Sequence, residues 1–340
     1  SMSVPYFKVI SDNKDFTFTP KIYGDNEGLF QNEYRQENKN LSHITDLSIK
    51  RGGNTKSHFF SNTLASLDLS YFENSELEIN LETTSNNNYL KSHKIKSEIT
   101  NNNSLLNSFL VLKGNNKDLY LEARVEAYED LTKDNSSDRY QYLLSSFEIS
   151  KNFNNNLSLV SNGYHKNYNT NIFEKVLIND LKYSSMPKIN SKGFVNKFNV
   201  LLKNVTTESD NSTEYKNDFR SQNYGSLFYD VSYPMKKEGL KYNNFISGKA
   251  SFMYSPNKNK NIKNLEKKIN FKNVFNQNRL GLNDSLEGGQ SLTLGGEYKL
   301  SNKQNTNILT AGLASVLRDK NDNKLPASST INNKSSDIVG

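Results

Sequence analysis

Apolar and polar residues alternate along most of this chain. Leu77, Ile79 and Leu81 share one face of a strand, and Glu76, Glu78, Asn80 and Glu82 share the other. That period of two is what a pleated strand imposes. Leu119, Leu121, Ala123, Val125 and Ala127 stand in the same way against Tyr120, Glu122, Arg124, Glu126 and Tyr128. Leu292, Leu294, Gly296, Tyr298 and Leu300 stand against Ser291, Thr293, Glu297 and Lys299. A face with so many carboxylates is expected to turn toward water. Further runs of this kind fall near 105–113, 140–150, 157–164, 193–205, 224–233 and 242–254. The best helix candidate, 261–270, is rich in lysine and lacks an apolar stripe, so it reads as loop.

Asparagine clusters punctuate the runs: Ser85-Asn86-Asn87-Asn88, Gly114-Asn115-Asn116 and Asn154-Asn155-Asn156. Asparagine side chains bond their own backbone two residues on, which makes them turn formers. The spacing predicts an all-β, antiparallel up-and-down meander. At about 9 to 11 residues per membrane strand, the length holds on the order of 14 to 16 strands. A transmembrane barrel and a soluble sandwich or solenoid would both alternate, and the pattern alone leaves the two open.

Composition narrows the class. Only 34% of residues are hydrophobic, yet 11% are aromatic, with 19 Tyr and 19 Phe. Such a chain is too polar for a helical membrane protein and too aromatic for a disordered one. No window approaches the roughly 18 apolar residues of a spanning helix. Cysteine is absent, which rules out thiol chemistry and disulfides within this chain. His43, His58, His93 and His165 are isolated in sequence and are expected to be solvated or to line a polar lumen. No G-x-S-x-G elbow accompanies the serines. Carboxylate pairs such as Glu76/Glu78 and Glu122/Glu126 fit a polar wall better than a glycosidase. No catalysis, metal or cofactor is therefore expected. The net charge is +7, and Lys258, Lys260, Lys263, Lys267 and Lys268 crowd one stretch. No basic groove interleaved with aromatics goes with them, so nucleic acid is not expected. A solvated loop is the plain reading, and one that meets phosphates the sharper one.

Three ordered blocks add a resemblance. Val4-Pro5-Tyr6-Phe7, then Asp15-Phe16-Thr17-Phe18-Thr19-Pro20, then Gly28 and Glu33-Tyr34-Arg35, resemble the first barrel strands of the outer-membrane lipopolysaccharide-assembly family of LptD, also called organic solvent tolerance protein. The run from Asn278 and Arg279 through Gly281, Asp284, Glu287, Gly288 and Gly289 to Gly295 is similar to that family's mid-barrel pattern N-R-x-x-G-x-D-x-x-E-G-G. The tail from Leu325-Pro326 to Ser336-Asp337-Ile338-Val339-Gly340 is similar to its next segment.

The resemblance implies a partial transmembrane β-barrel occupying residues 1–340, with a periplasmic jellyroll domain and the closing strands outside this chain. No signal peptide precedes Val4, and the last residues are not an aromatic-ended strand, which fits an interior segment. The implied function is insertion of lipopolysaccharide into the outer leaflet through a lateral gate between first and last strands. Pro5, Tyr6, Phe7, Phe16, Phe18 and Pro20 would line that gate. Asp15, Gly28, Glu33, Arg35, Arg279, Gly281, Asp284, Glu287, Gly288 and Gly289 would be structural. Implied partners are the lipoprotein LptE as lumen plug, the bridge protein LptA at the missing domain, and the outer membrane. A passive porin-like channel, and a soluble extracellular adhesin or carbohydrate-binding module, remain as alternatives.

Overall fold

The computed structural model describes residues 2–24, 27–100, 102–134, 136–168 and 171–340. Among the described residues eighteen strands belong to one sheet, so the all-β expectation holds. Two of them, β1 (Met2–Ser3) and β13 (Lys188–Ile189), have two residues each. The sixteen longer ones match the number the chain length suggested. Helix is confined, among the described residues, to α1 (Tyr89–Ser92), α2 (Ser136–Arg139) and a 3-10 turn at Ser328–Thr330. Residues 261–270 are loop.

The chain forms two compact units. The first comprises residues 1–151, 161–177 and 206–220. Its strands include β2 (Tyr6–Ser11), β3 (Lys14–Ile22), β4 (Gly28–Asn38), β5 (Leu41–Arg51), β6 (Lys56–Leu67), β7 (Asn74–Thr84), β8 (Leu105–Asn115), β9 (Leu119–Asp130) and most of β10 (Tyr140–Asn152). From β2 to β10, each pairs antiparallel with the next. Alternation of direction puts the short connections 12–13, 39–40 and 116–118 at one end and the long 85–104 connection at the other. The second unit comprises residues 152–160, 178–205 and 221–340. Within it β15 (Arg220–Glu238), β16 (Tyr242–Ser255), β17 (Gly289–Asn302) and β18 (Asn307–Arg318) pair in order. Strands β11 (Leu157–Tyr168), β12 (Ile172–Ser184) and β14 (Val195–Asp210) contribute residues to both units.

The asparagine turns close as their chemistry predicts. Asn116 Oδ1 accepts from the backbone N–H of Asp118 and of Leu119, at 3.0 and 2.9 Å. Asn154 does so from Asn156 and Leu157, and Asn190 from Lys192 and Phe194. Each side chain satisfies donors that the end of a strand leaves free.

The two faces of the sheet are inverted relative to a water-soluble β-protein. In the second unit Tyr229, Phe252, Leu292 and Leu317 lie side by side across four strands. Their exposures are 42%, 44%, 38% and 40%. The row one residue over, Phe228, Met253, Ser291 and Arg318, is buried, at 4%, 2%, 3% and 7%. The first unit repeats this: Phe30 and Ile49 pair and are exposed, whereas Asp46, Phe60 and Glu82 pair across three strands and are buried. A continuous apolar face of this kind costs about 25 cal/mol per Å² in water and nothing comparable in hydrocarbon.

Here the expected wet face of β7 needs correction. Asn80 and Glu82 are buried while Leu81 is exposed. Glu82 accepts from Asn80 Nδ2 at 3.1 Å and from the Asn107 backbone N–H at 3.0 Å, so hydrogen bonds within the sheet replace water.

Connections cover the polar faces. In the first unit, Tyr89, Leu90 and Ile95 of the 85–104 connection form a core with Leu29, Phe60, Leu106 and Leu131. In the second, the 256–288 connection and the 319–340 tail bring Ile262, Ile269, Val274, Leu280 and Leu282 together with Leu325, Ile331 and Val339 over Ala314 and Val316 of β18. The tail also bridges the strand edge, Val339 opposite Ala314 and Ser335 opposite Leu317. In the lysine-rich stretch Lys258, Lys263 and Lys268 are exposed, as a solvated loop would have them, while two others are tied down. Lys260 Nζ lies 2.5 Å from Asp284, and Lys267 donates to the Gly281 carbonyl at 3.4 Å.

Candidate functional site

The first hairpin carries an interruption. Tyr6 pairs with Phe18 in β2–β3, and Ser3 pairs with Lys21 in β1–β3. The register continues across, placing Pro5 opposite Thr19 and Val4 opposite Pro20, yet Val4 and Pro5 belong to no strand. Proline offers no N–H, and Pro5 and Pro20 fall in adjacent register pairs, which alternate between hydrogen-bonded and not, so one of the two removes a donor from this ladder. Pro20 itself stays within β3, opposite Phe30 of β4. Phe18 and Phe30 stack with ring centroids 6.2 Å apart.

Tyr6, Phe16 and Phe18 share the apolar face, since Tyr6 faces Phe18 and residues two apart lie on one side. Phe7 is opposite Thr17 on the polar face. Every residue of β2 is exposed. Behind the hairpin on the polar face, Arg35 Nε lies 2.9 Å from Asp15 and 3.5 Å from Glu33. Gly28 opens β4 opposite Ile22.

A second constellation gathers the mid-chain pattern. Arg279 and Arg318 both pair with the carboxylate of Glu287, and all three are buried. Arg279 also donates to Thr293 at 3.1 Å and Ser291 at 2.9 Å, and Arg318 to the Gly288 carbonyl at 2.7 Å. Burial pushes the Glu287 carboxyl up, but the two guanidiniums outweigh it and hold the group below the usual carboxylate range. Asn259 fastens the same corner: its Oδ1 accepts from the Gly288 N–H at 2.7 Å and its Nδ2 donates to Asp322 at 2.7 Å. Asn278 accepts from the Leu282 N–H at 2.9 Å. Gly281 and Gly289 take φ of +59° and +95°, the left-handed region open to glycine.

Gly288 is held by space. A Cβ there would sit 2.1 Å from the Asn257 carbonyl oxygen, and backbone cannot move aside cheaply. Gly288→Ala is expected to undo the packing of the 256–288 connection, seen as faster cleavage within it under limited proteolysis.

A third cluster was not foreseen. His58, expected to be solvated or to line a polar lumen, is on the polar face and buried in the first unit. Its Nδ1 lies 2.7 Å from Ser48 Oγ, which lies 2.7 Å from Tyr89 OH, and its Nε2 lies 3.2 Å from Asp46. Gln31 Nε2 donates to both Asp46 oxygens at 3.0 Å and to the Lys96 carbonyl at 2.9 Å. The physical reason is the 85–104 connection, whose Tyr89 closes over the polar side of β5 and β6. Ser48 and Asp46 are wholly buried, so no substrate reaches the hydroxyl, and the network fastens a connection. Among the described residues no group of three His, Cys, Asp or Glu could hold a metal, and no helix is long and apolar enough to cross a membrane.

Comparison with solved structures finds a bacterial polysaccharide outer membrane secretin, 7% identical over 86% of this chain and 84% of that one, with a TM-score of 0.27. That likeness is too loose to carry an argument. No curated protein matches. The family model for LptD, described as LPS transport system D, matches residues 57–340. That span holds the buried Arg279–Glu287–Arg318 corner and most of the strands with inverted faces, and by it the chain belongs to the LptD family of lipopolysaccharide transport proteins.

Proposed function

We propose that this chain forms part of an outer-membrane barrel wall that inserts lipopolysaccharide into the outer leaflet, with the first hairpin as one side of a lateral gate. The observation that carries the reading is the ladder interruption at Val4–Pro5 opposite Thr19–Pro20, in a sheet whose apolar face is exposed. A hairpin with fewer cross-strand hydrogen bonds opens at less cost, and hydrocarbon offers nothing to replace lost ones. Tyr6, Phe16 and Phe18 then meet acyl chains at the seam, while Phe7 faces the lumen side.

On this reading residues 1–340 are one partial barrel. The jellyroll domain that would contact the bridge protein LptA, and the closing strands, lie in the rest of the protein, and LptE occupies the lumen. The work is transport, with no bond chemistry and no cofactor. A passive pore fits less well with polar faces that the chain's own connections cover.

Changing Pro5 and Pro20 together to alanine restores the backbone N–H that the interrupted ladder lacks, whichever proline faces it, and is expected to slow arrival of lipopolysaccharide at the cell surface severalfold in the full-length protein. Pulse-labelled surface lipopolysaccharide is the readout, and transport at the unaltered rate would overturn the gate assignment.

A further inference from the structure

Beside the interrupted hairpin, on its polar side, lies a cavity of about 420 Å³ in the first unit. Thr17, Thr19 and Lys21 line it from alternate positions of β3, and Lys94 and Lys96 line it from the 85–104 connection. Lys21 Nζ donates to the carbonyls of His93 and Lys94 at 3.2 and 3.4 Å, tying the connection to the strand. Among the described residues Glu33 is the one carboxylate in the lining, and it leans toward Arg35 at 3.5 Å. Lys94 and Lys96 are exposed, and neither forms an ion pair among the described residues. The lining thus carries three lysines and two hydroxyls against one carboxylate, with Asp46 behind Gln31 and Asp15 and Glu98 near Glu33.

The backbone gives an independent sign. Lys94 has φ of +48°, just after α1, where the Ile95 N–H reaches back to the Leu90 carbonyl at 3.0 Å. That is the helix-ending position where glycine is ordinarily found, because a side chain there is strained. A lysine in its place puts an ammonium at the cavity against the local backbone preference. Strain of this kind concentrates at ligand clamps.

We propose that Lys21, Lys94 and Lys96, with the Thr17 and Thr19 hydroxyls, form a phosphate-binding site on the inner side of the first hairpin. Its ligand is a phosphorylated group, carried by a lipid headgroup if the transport reading above, on which that choice of source rests, is correct. Several ammonium groups and hydroxyls can share the oxygens of one phosphate, and such charge-assisted bonds are the strong ones. A phosphate held here sits one strand face away from the seam at Pro20, where the acyl chains of the same molecule would leave.

The test uses the full-length protein in detergent, with binding measured calorimetrically. The probes are bis-phosphorylated lipid A, the same lipid without phosphates, and inorganic phosphate. Lys94→Gly relieves the strained backbone while deleting the charge, so it folds at least as well; Lys94→Arg keeps the charge. Lys94→Gly and Lys96→Gln are each expected to weaken binding of the phosphorylated lipid about tenfold. Lys94→Arg should retain it, and binding of the phosphate-free lipid should be unchanged in all three. Inorganic phosphate bound by the wild type and lost in Lys94→Gly, with no effect on lipid, upholds the phosphate site and assigns it to the free anion. Unchanged binding of every probe in both charge-deleting variants overturns it. Wild-type protein that binds the phosphorylated lipid through these lysines yet moves none to the surface would instead defeat the transport reading and leave the site standing.

Discussion

Glu287→Gln is expected to lower the stability of the folded protein by about 3–5 kcal/mol, the range for removing one partner of a buried ion pair. The substitution keeps the shape and leaves the Arg279 and Arg318 guanidiniums buried without the anion they share. Urea-dependent loss of heat-shifted electrophoretic mobility would measure it, and a change below about 1 kcal/mol would show that the corner is not needed for stability.

Acid provides a second handle on the same group. Against its burial, the two guanidiniums hold the Glu287 carboxyl below its ordinary value in the folded state. A depressed folded pKa means that the contribution is fully present above the unfolded value. It is lost as pH falls through and below the usual carboxylate range toward the folded one. The wild type should lose this increment on acidification, and the glutamine variant, having none to lose, should show a shallower acid dependence.

Leu294→Arg carries the second large expectation. Leu294 is exposed on the apolar face of β17. On a water-soluble surface such a change stays within about 0.5 kcal/mol. On a lipid-facing barrel strand, arginine costs about 2–4 kcal/mol near the bilayer midplane. Refolding into lipid vesicles with and without the substitution separates the two, and indifference to the charge would contradict a hydrocarbon-facing surface.

Much of this architecture is legible in the sequence, because the period of two is a local property. The pairs Leu292/Leu294 and Ser291/Thr293 already separate the faces of β17. What alternation cannot tell is which face meets solvent. Asn80 and Glu82 read as a wet side, and only the 85–104 connection, which has no periodicity of its own, encloses the polar side of its unit. The same limit applies to the sites. Arg279 and Glu287 sit eight residues apart in one recognisable pattern, whereas Arg318 enters from the end of β18, and nothing in its neighbourhood marks it. Asp46 and Ser48 could be placed on one face by counting. The burial of His58 beside them depends on Tyr89, 31 residues away across a β-hairpin. Lys94 reads as one lysine among many until its backbone angle is known.

The asparagine turns also bear on how the protein ages. At Asn116, Asn154 and Asn190 the side-chain oxygen joins the backbone hydrogen bonds in closing the turn. Asparagine is thermolabile, and aspartate offers the same acceptor in the same kind of turn. Deamidation that yields aspartate at these three positions would therefore leave the strand ends tied while moving the formal net charge from +7 to +4. Molecules altered in this way would keep their shape and differ from unaltered ones in their surface electrostatics.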